Sequence, residues 1–526
     1  VSRLEAVWTN LHVSSKAFVR TPADKVQSWL ANTSGVGIRK CFKVKQWGYA
    51  FVAVLPGDCA AFRGAVDGAL FRGASVEVKD GKARDANNRR PKDTENVDQP
   101  GAKRRKVTTQ AREFPEGYVP TLKDIIDREK AHKGAGVERS VTQKSAPLLD
   151  WPYATQLVMK ETYVKTAVRH FTKQAIARGR DHGASVPWTE PEWALRHKAP
   201  SGCGCPLAPI ISTPEDSITG YRNKCEFTIG HNAAGEVEVG FVLRVGGDLA
   251  QVIDSSQDIP HVPAAMKRLC GVVRDVVKAS PFEVFDRRRN AKTGVWRVVM
   301  ARQSPNGSMC VMLQVASLPE ERRPELVKPL VDALLAADLG VASVYLQIND
   351  AASDAAQPGA PLIHVHGAER LVMPLMGLDF EIGPLSFFQT NHTTCELLYK
   401  QAHEWLRPER ALVLDVCCGV GTIGLCIARR CRKVVGIELV PEACESARRN
   451  AALNGIDNAS FHAGRAEDVL PAMLDAEVAA AGADCEVVAV VDPPRPGLHK
   501  DVLQALRDCQ QLRRVVYISC NPESLA

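Results

Sequence analysis

The 526-residue chain is expected to be an α/β protein of several domains, closing on a doubly wound parallel sheet. Three observations carry this. From about residue 385, apolar strand-like runs alternate with loops and helical stretches. Within that region "ALVLDVCCGVGTIGLCIARR", residues 411–430, sends a strand into a glycine turn and then a helix. At the other end, residues 1–78 order their patterns as βαββαβ, that of a ferredoxin-like sandwich.

Composition narrows the class. Hydrophobic residues make up 45% and charged residues 24%, as in soluble globular proteins. The net charge of +7 is concentrated: residues 79–113 hold 11 Lys/Arg against 6 Asp/Glu. Of the sixteen cysteines, Cys203-Gly-Cys205 and Cys417-Cys418 are too closely spaced for C-x₂-C ligand pairs, and the others are scattered through apolar stretches. Reduced thiols in an intracellular protein are expected, with no disulfide framework, metal or iron–sulfur cluster. Val1 in place of methionine suggests that the N-terminus is missing. No signal-peptide pattern is present. The apolar run 411–428 contains Asp415 and three glycines, so it reads as strand and loop and not as a membrane span.

Taken in order, residues 1–78 give strand, helix, two strands, helix and strand. Residues 79–118 carry many charges and few bulky apolar side chains, and read as a disordered basic linker. Within it, Lys103-Arg104-Arg105-Lys106 fits a nuclear-import signal, a phosphate-binding tether or a solubilising charge run. Nucleus and cytoplasm both remain open. Residues 119–204 show the 3.6-residue period of helices, as in "QLVMKETYVKTAVRHFTKQAIARG". Residues 205–384 turn to strands in a central α+β domain. Asn306-Gly307 between two alternating runs marks a hairpin there. Residues 385–526 form the doubly wound domain.

Four motifs carry chemistry. After Asp415 the turn Gly419-Val420-Gly421 lets backbone approach a ligand at a helix N-terminus, and Glu438 ends the next strand, 19 residues after Gly419, where an acid grips a ribose. That arrangement alone fits NAD or S-adenosyl-L-methionine. "VVAVVDPPRPGL" ends a buried strand at Asp492-Pro493-Pro494-Arg495, and the prolines fix Asp492 at the strand's C-terminal edge. "VVYISCNPESLA" ends a strand at Ser519-Cys520, and Asn521-Pro522 puts the thiol at the rim, where thiol chemistry is possible. "IGPLSFFQTN", residues 382–391, leads into a helix near His392 and offers Gln389 as a hydrogen-bonding group.

In this order the four motifs resemble those of the uracil-5 RNA methyltransferase family. They match as Phe387-Phe388-Gln389, Asp415 to Gly421, Asp492 to Arg495, and Ser519 to Pro522. "GYRNKCEFTIG", residues 220–230, is also similar to a central-domain strand of that family. The resemblance covers roughly residues 150–526. It implies S-adenosyl-L-methionine as cofactor, with Gln389, Cys417, Gly419, Gly421, Glu438 and Asp492 at cofactor or site positions. Arg495 goes with the RNA. Cys417 stands where bacterial members carry an aromatic residue, so a packing face is lost.

The resemblance makes Cys520 the nucleophile. Uracil C5 is too electron-poor to attack a methyl sulfonium, and a thiolate adding to C6 makes C5 nucleophilic. The family's base, a glutamate some tens of residues after the cysteine, is expected beyond residue 526, together with the last strands of the sheet. The doubly wound domain is therefore expected to be truncated.

"WGYAFVAV", residues 47–54, compares with the RNP1 strand of RNA-recognition motifs. Tyr49 and Phe51, two apart, face one side of a sheet where bases stack. In "AVWTNL", the RNP2-like stretch, Val7 stands in the stacking position. Such a motif joined to this catalytic domain is similar to the animal-type branch of the family, which acts on the T-loop uridine of tRNA. Three alternatives stand beside this. An RNA cytosine-5 methyltransferase would carry Pro-Cys or Thr-Cys motifs, absent at these positions. An NAD oxidoreductase would have no use for Cys520. A non-catalytic RNA-binding protein or chaperone gains if the natural chain ends at Ala526.

Overall fold

The computed structural model describes residues 9–80 apart from 20, 39 and 43–48; residues 121, 124, 125 and 140–181; and residues 202–525 apart from 246–250, 288–292, 352, 356–359, 483 and 496. The expected linker beyond residue 80, its basic run Lys103–Lys106, Val7 and Trp47 lie outside the described residues. The chain divides into two compact units, Val1–Lys106 and Val107–Ala526.

In the first unit the described elements are β1 (Thr9–Ser14), α1 (Ala23–Ser34), β2 (Lys40–Phe42), β3 (Tyr49–Val54), α2 (Cys59–Val66), β4 (Leu70–Phe71), β5 (Ala74–Ser75) and β6 (Glu77–Asp80). Four of the strands form an antiparallel sheet in the order β2-β3-β1-β6. Period-2 alternation turns Leu11, Val13, Ala50, Val52 and Val54 inward, against Val26 and Leu30 of α1 and Phe62 and Val66 of α2. β4 and β5 form a small extra hairpin before β6. It turns on Arg72 (φ 50°) and Gly73 (φ 79°), the pair of left-handed residues a tight hairpin turn needs.

Val7, the stacking position expected from sequence, lies outside the described residues; among them β1 runs Thr9–Ser14, and His12 is the residue opposite Phe51. Leu11 and Val13 set this register, because both are fully buried and a one-residue slip would expose them.

The second unit begins, among described residues, with α3 (Val141–Ser145) and the 29-residue α4 (Tyr153–Asp181). A central α+β layer follows: β7 (Lys224–His231), β8 (Val237–Val245), β9 (Gln251–Ser255), α5 (Ala264–Ala279), β10 (Trp296–Gln303), β11 (Met309–Val315), α6 (Arg323–Ala336), β12 (Val341–Ile348) and β13 (Leu362–Gly367). Its sheet runs β13-β12-β11-β10-β7-β8-β9. One face packs on α5 and α6 through Phe227, Met266, Leu269, Val273, Val311 and Leu330. The other face sends Met300, Met312 and Tyr345 into the core of the next layer.

That layer holds the hairpin β14 (Leu371–Leu375) and β15 (Leu378–Ile382). Then come α7 (His392–Leu406), β16 (Leu412–Val416), α8 (Thr422–Ala428), β17 (Lys433–Glu438), α9 (Pro441–Leu453), β18 (Ala459–Ala463), α10 (Ala466–Ala481), β19 (Val487–Val491), α11 (Lys500–Asp508) and β20 (Leu512–Tyr517). All pairings in the five-stranded sheet β18-β17-β16-β19-β20 are parallel. Every residue of β16 and β19 is buried, which is why both read as unbroken apolar runs around Asp415. The hairpin begins before the residue-385 boundary expected from sequence. It packs with this layer, where the Glu381 N–H donates to Asn450 Oδ1 at 2.9 Å. The strand order reverses between β16 and β19, so a ligand crevice is expected beyond their C-terminal ends.

Candidate active site

Three strands bring the predicted residues to one edge. Val416, Val491 and Tyr517 lie side by side in register on β16, β19 and β20. The Asp492 N–H donates to the Val416 carbonyl (3.3 Å) and the Ile518 N–H to the Val491 carbonyl (2.8 Å). The glycine turn, Asp492 and the Ser519-Cys520 pair therefore all leave the sheet at its C-terminal edge. Cys520 is exposed. Its neighbour Ser519 folds the chain over, with its hydroxyl donating to the Asn521 carbonyl at 2.8 Å. The Tyr163 hydroxyl of α4 donates to Asn521 Oδ1 at 3.3 Å, so this helix reaches the segment that follows the nucleophile candidate.

The glycine turn is held from the next strand. Glu438 ends β17, and its Oε2 accepts from the Gly419 N–H and its Oε1 from the Val440 N–H, each at 3.0 Å. Gly419 (φ 55°) looks into open space where a side chain would otherwise stand. Gly421 (φ 82°) has the opposite surroundings: a Cβ there would press on Ala447, Leu425 and Phe461 at 3.1–3.2 Å. One glycine leaves room for a ligand, and the other lets α8 pack closely on the sheet. Cys417 takes a left-handed φ of 66°. Burial, then the Glu438, Asp415 and Asp492 carboxylates, push its thiol up to about 12.

Two carboxyls at this edge are shifted upward. Asp415 is fully buried. Its Oδ2 accepts from the Gly424 N–H at 2.8 Å and its Oδ1 has no partner among the described residues. Burial raises it to about 7 despite that hydrogen bond, with Asp492 and Glu438 adding repulsion. Burial alone raises Asp492 to about 6.

Gln389 lies in the loop before α7, where its carbonyl accepts from Asn223 Nδ2 at 2.9 Å. Asn391 caps that helix, its Oδ1 accepting from the Thr394 N–H. Phe388 is buried, while Phe387 is 70% exposed. Arg495 is exposed, just beyond Asp492. In the separate first unit, Tyr49 and Phe51 stand 5.8 Å apart edge to face. His12 joins them, 4.9 Å from Tyr49 and 5.4 Å from Phe51, which makes a three-ring surface on the sheet.

Sequence reasoning missed His12, although the alternation Leu11-His12-Val13 carries its signal. It also missed Leu439 and Val440, which remain 63% and 47% exposed after Glu438. Their signal is two apolar residues following an acid at a strand end. Among the described residues no cluster of metal-ligating side chains occurs, and no helix is long and apolar enough to cross a membrane.

The residues at the edge fit an S-adenosyl-L-methionine site. The open face of Gly419 admits a ligand against the backbone. A carboxylate such as Glu438 retains acceptor capacity beyond its two backbone bonds. Leu439 offers an uncovered apolar surface beside it.

Comparison with known proteins gives the same direction. Residues 373–526 match the family described as tRNA (Uracil-5-)-methyltransferase. The chain is 35% identical over 413 residues to tRNA (uracil-5-)-methyltransferase homolog A of Homo sapiens, across 76% of this chain and 63% of that protein. It is 32% identical over 326 residues to homolog B of Homo sapiens, across 60% of this chain and 62% of that protein. The chain thus spans somewhat under two thirds of the length of these relatives. Among solved structures it is similar to the Pyrococcus abyssi tRNA (uracil-54, C5)-methyltransferase in complex with S-adenosyl-L-homocysteine. There the identity is 24% and the TM-score 0.47, over 60% of this chain and 69% of that one. Residues 373–526 thus carry a domain that matches the tRNA (uracil-5-)-methyltransferase family.

Proposed function

We propose that the protein methylates C5 of uridine in tRNA, at the T-loop uridine, with S-adenosyl-L-methionine as cofactor. The observation that carries this reading is the shared register of Val416, Val491 and Tyr517, from which the glycine turn, Asp492 and Cys520 emerge at one edge. Gly419, Glu438 and Leu439 would hold the cofactor, with Gln389 and Asp492 nearer the reacting end. When bound, S-adenosyl-L-methionine supplies an electrophilic methyl group at this edge.

Cys520 as thiolate adds to C6 of the uracil. The electron pair of the C5–C6 double bond moves toward C5 and the O4 carbonyl, and C5 becomes nucleophilic. Once C5 carries the methyl group, a base takes the C5 proton, the freed pair restores the C5–C6 double bond, and Sγ leaves as thiolate. Asp492, protonated below about pH 6, is able to donate a hydrogen bond to a base edge or carbonyl at the same rim.

Residues 9–80 act in this reading as an RNA-recognition motif. The strand order and the rings of His12, Tyr49 and Phe51 on one face support it. Arg495 and the basic segment after residue 80 would add phosphate contacts. A tRNA substrate goes with residence in nucleus or cytoplasm.

The test is mass spectrometry of nucleosides from tRNA incubated with the protein and cofactor. Formation of 5-methyluridine supports the reading. Tight RNA binding with no 5-methyluridine would make the protein a scaffold or chaperone instead.

A further inference from the structure

Arg302 lies on β10 with 1% of its surface exposed. Its hydrogen bonds go to neutral oxygens. Nη2 donates to the Ser386 carbonyl at 2.9 Å and Nη1 to the Phe388 carbonyl at 3.4 Å. Nε is buried with no partner among the described residues. Burial pulls its pKa down to about 10. A buried cation held by carbonyls is a costly arrangement, and apolar side chains of similar volume would fill the space more favourably.

A second residue of the central sheet grips the same loop. Asn223 precedes β7 and is 7% exposed. Its Nδ2 donates to the Gln389 carbonyl at 2.9 Å, and its own N–H to the Thr390 carbonyl at 2.8 Å. Asn223 is itself fixed to β10, since its carbonyl accepts from the Gln303 N–H at 2.8 Å. The carbonyls of Ser386, Phe388, Gln389 and Thr390 are thus all held by Arg302 on β10 and by Asn223 just before the adjacent β7. Between the two carbonyls that Arg302 spans, Phe387 projects with 70% exposure. A cavity of about 600 Å³ opens there, lined by Arg222, Lys224, Arg302, Ser386 and Phe387 among others.

We propose that Arg302 and Asn223 are positioning residues for the methyl-transfer site: they set the direction in which Phe387 and Gln389 leave the loop. The planar guanidinium supplies two donors at fixed spacing, which an apolar filler or a lysine cannot. A loop left to fluctuate by an ångström would move Gln389 out of its working geometry, and such displacements are costly to rate. The inference rests on the reading that Gln389 touches substrate or cofactor.

The test uses the full-length protein with Arg302→Met, Arg302→Lys, Asn223→Ala and Gln389→Ala, alone and combined. Arg302→Met should melt within about 3 °C of wild type, since an apolar chain fills the same space. Its kcat for uridine methylation should fall about a hundred-fold. Arg302→Lys should not restore it, and Asn223→Ala should lose about ten-fold. On a Gln389→Ala background, Arg302→Met should cost no more than about two-fold further, because the two act through one contact. Full kcat in Arg302→Met and Asn223→Ala, or losses that multiply with that of Gln389→Ala, would overturn the proposal. Amide exchange across residues 386–391 separates this from the functional reading. Faster exchange in Arg302→Met and Asn223→Ala is expected whatever reaction wild type performs. Unchanged exchange in both sinks the brace, whereas an inactive wild type sinks only the methyltransferase reading.

Discussion

The N–H of Gly419 donates to the Glu438 carboxylate across 3.0 Å, so the turn after β16 is pinned by the end of β17. The acid that would hold a ribose also shapes the loop beneath it. Glu438→Ala should therefore act twice, removing a charge-assisted bond to the ligand and releasing the turn. We expect a loss of about 1.5–3 kcal/mol in S-adenosyl-L-methionine affinity for each such bond, read by calorimetry. Tight NAD binding by wild type, with no heat from S-adenosyl-L-methionine, would show the site to be of another kind.

Cys520 is exposed at the rim of the sheet, where uracil would meet it. In the full-length protein, Cys520→Ala should abolish methylation and leave cofactor affinity nearly unchanged. A 5-fluorouridine-substituted tRNA should trap the wild-type adduct, because fluorine cannot leave as a cation. The readout is a slow-migrating band on a denaturing gel. The same band in Cys520→Ala would transfer the role to another thiol.

The three-ring surface of the first unit predicts a specific RNA term. Tyr49→Ala and Phe51→Ala should each cost about 1–3 kcal/mol of tRNA affinity, and His12→Ala a similar or smaller amount. The loss should persist at high salt, unlike that from removing basic residues, whose contribution shrinks as salt rises. Unaltered binding by the triple variant would make the domain a positioning module.

Asp415 gives a stability prediction with a definite sign. Its pKa is about 7 in the fold against 3.8 for an ordinary aspartate, so between these values the folded state holds a proton that the unfolded state has released. Its contribution to stability is fully present below about pH 3.8 and is lost as pH rises through about 7. Denaturant unfolding should show Asp415→Asn to be flatter with pH across that window. Gly424→Ala should destabilise by about 1–3 kcal/mol, because its Cβ would fall 2.8 Å from Asp415 Oδ2 and 2.7 Å from Val434. Equal stability of Gly424→Ala and wild type would contradict the packing described for α8.

What was legible in the sequence was local. β16 and β19 show as apolar runs because both faces of a parallel sheet are covered, and Gly419 and Gly421 punctuate where the chain must turn. Asp492 and Cys520 could be placed at strand ends because prolines follow them. His12 stays hidden because a histidine between Leu11 and Val13 does not by itself announce a place beside Tyr49 and Phe51, which only the pairing of β1 with β3 reveals. The grip of Arg302 and Asn223 on the Gln389 loop could not be read at all. Their partners lie 84 and 166 residues away, and neither residue type announces a long-range bond to a main-chain carbonyl.

Of the sixteen cysteines, Cys205 and Cys520 are exposed, six are half-buried and eight are buried. A bulky maleimide should therefore modify Cys205 and Cys520 first in the native protein and all sixteen thiols once it is unfolded. Labelling at Cys520, followed by peptide mapping, becomes a footprint that needs no turnover. RNA seated over the rim should shield it, while Cys205 provides an internal standard for reagent strength.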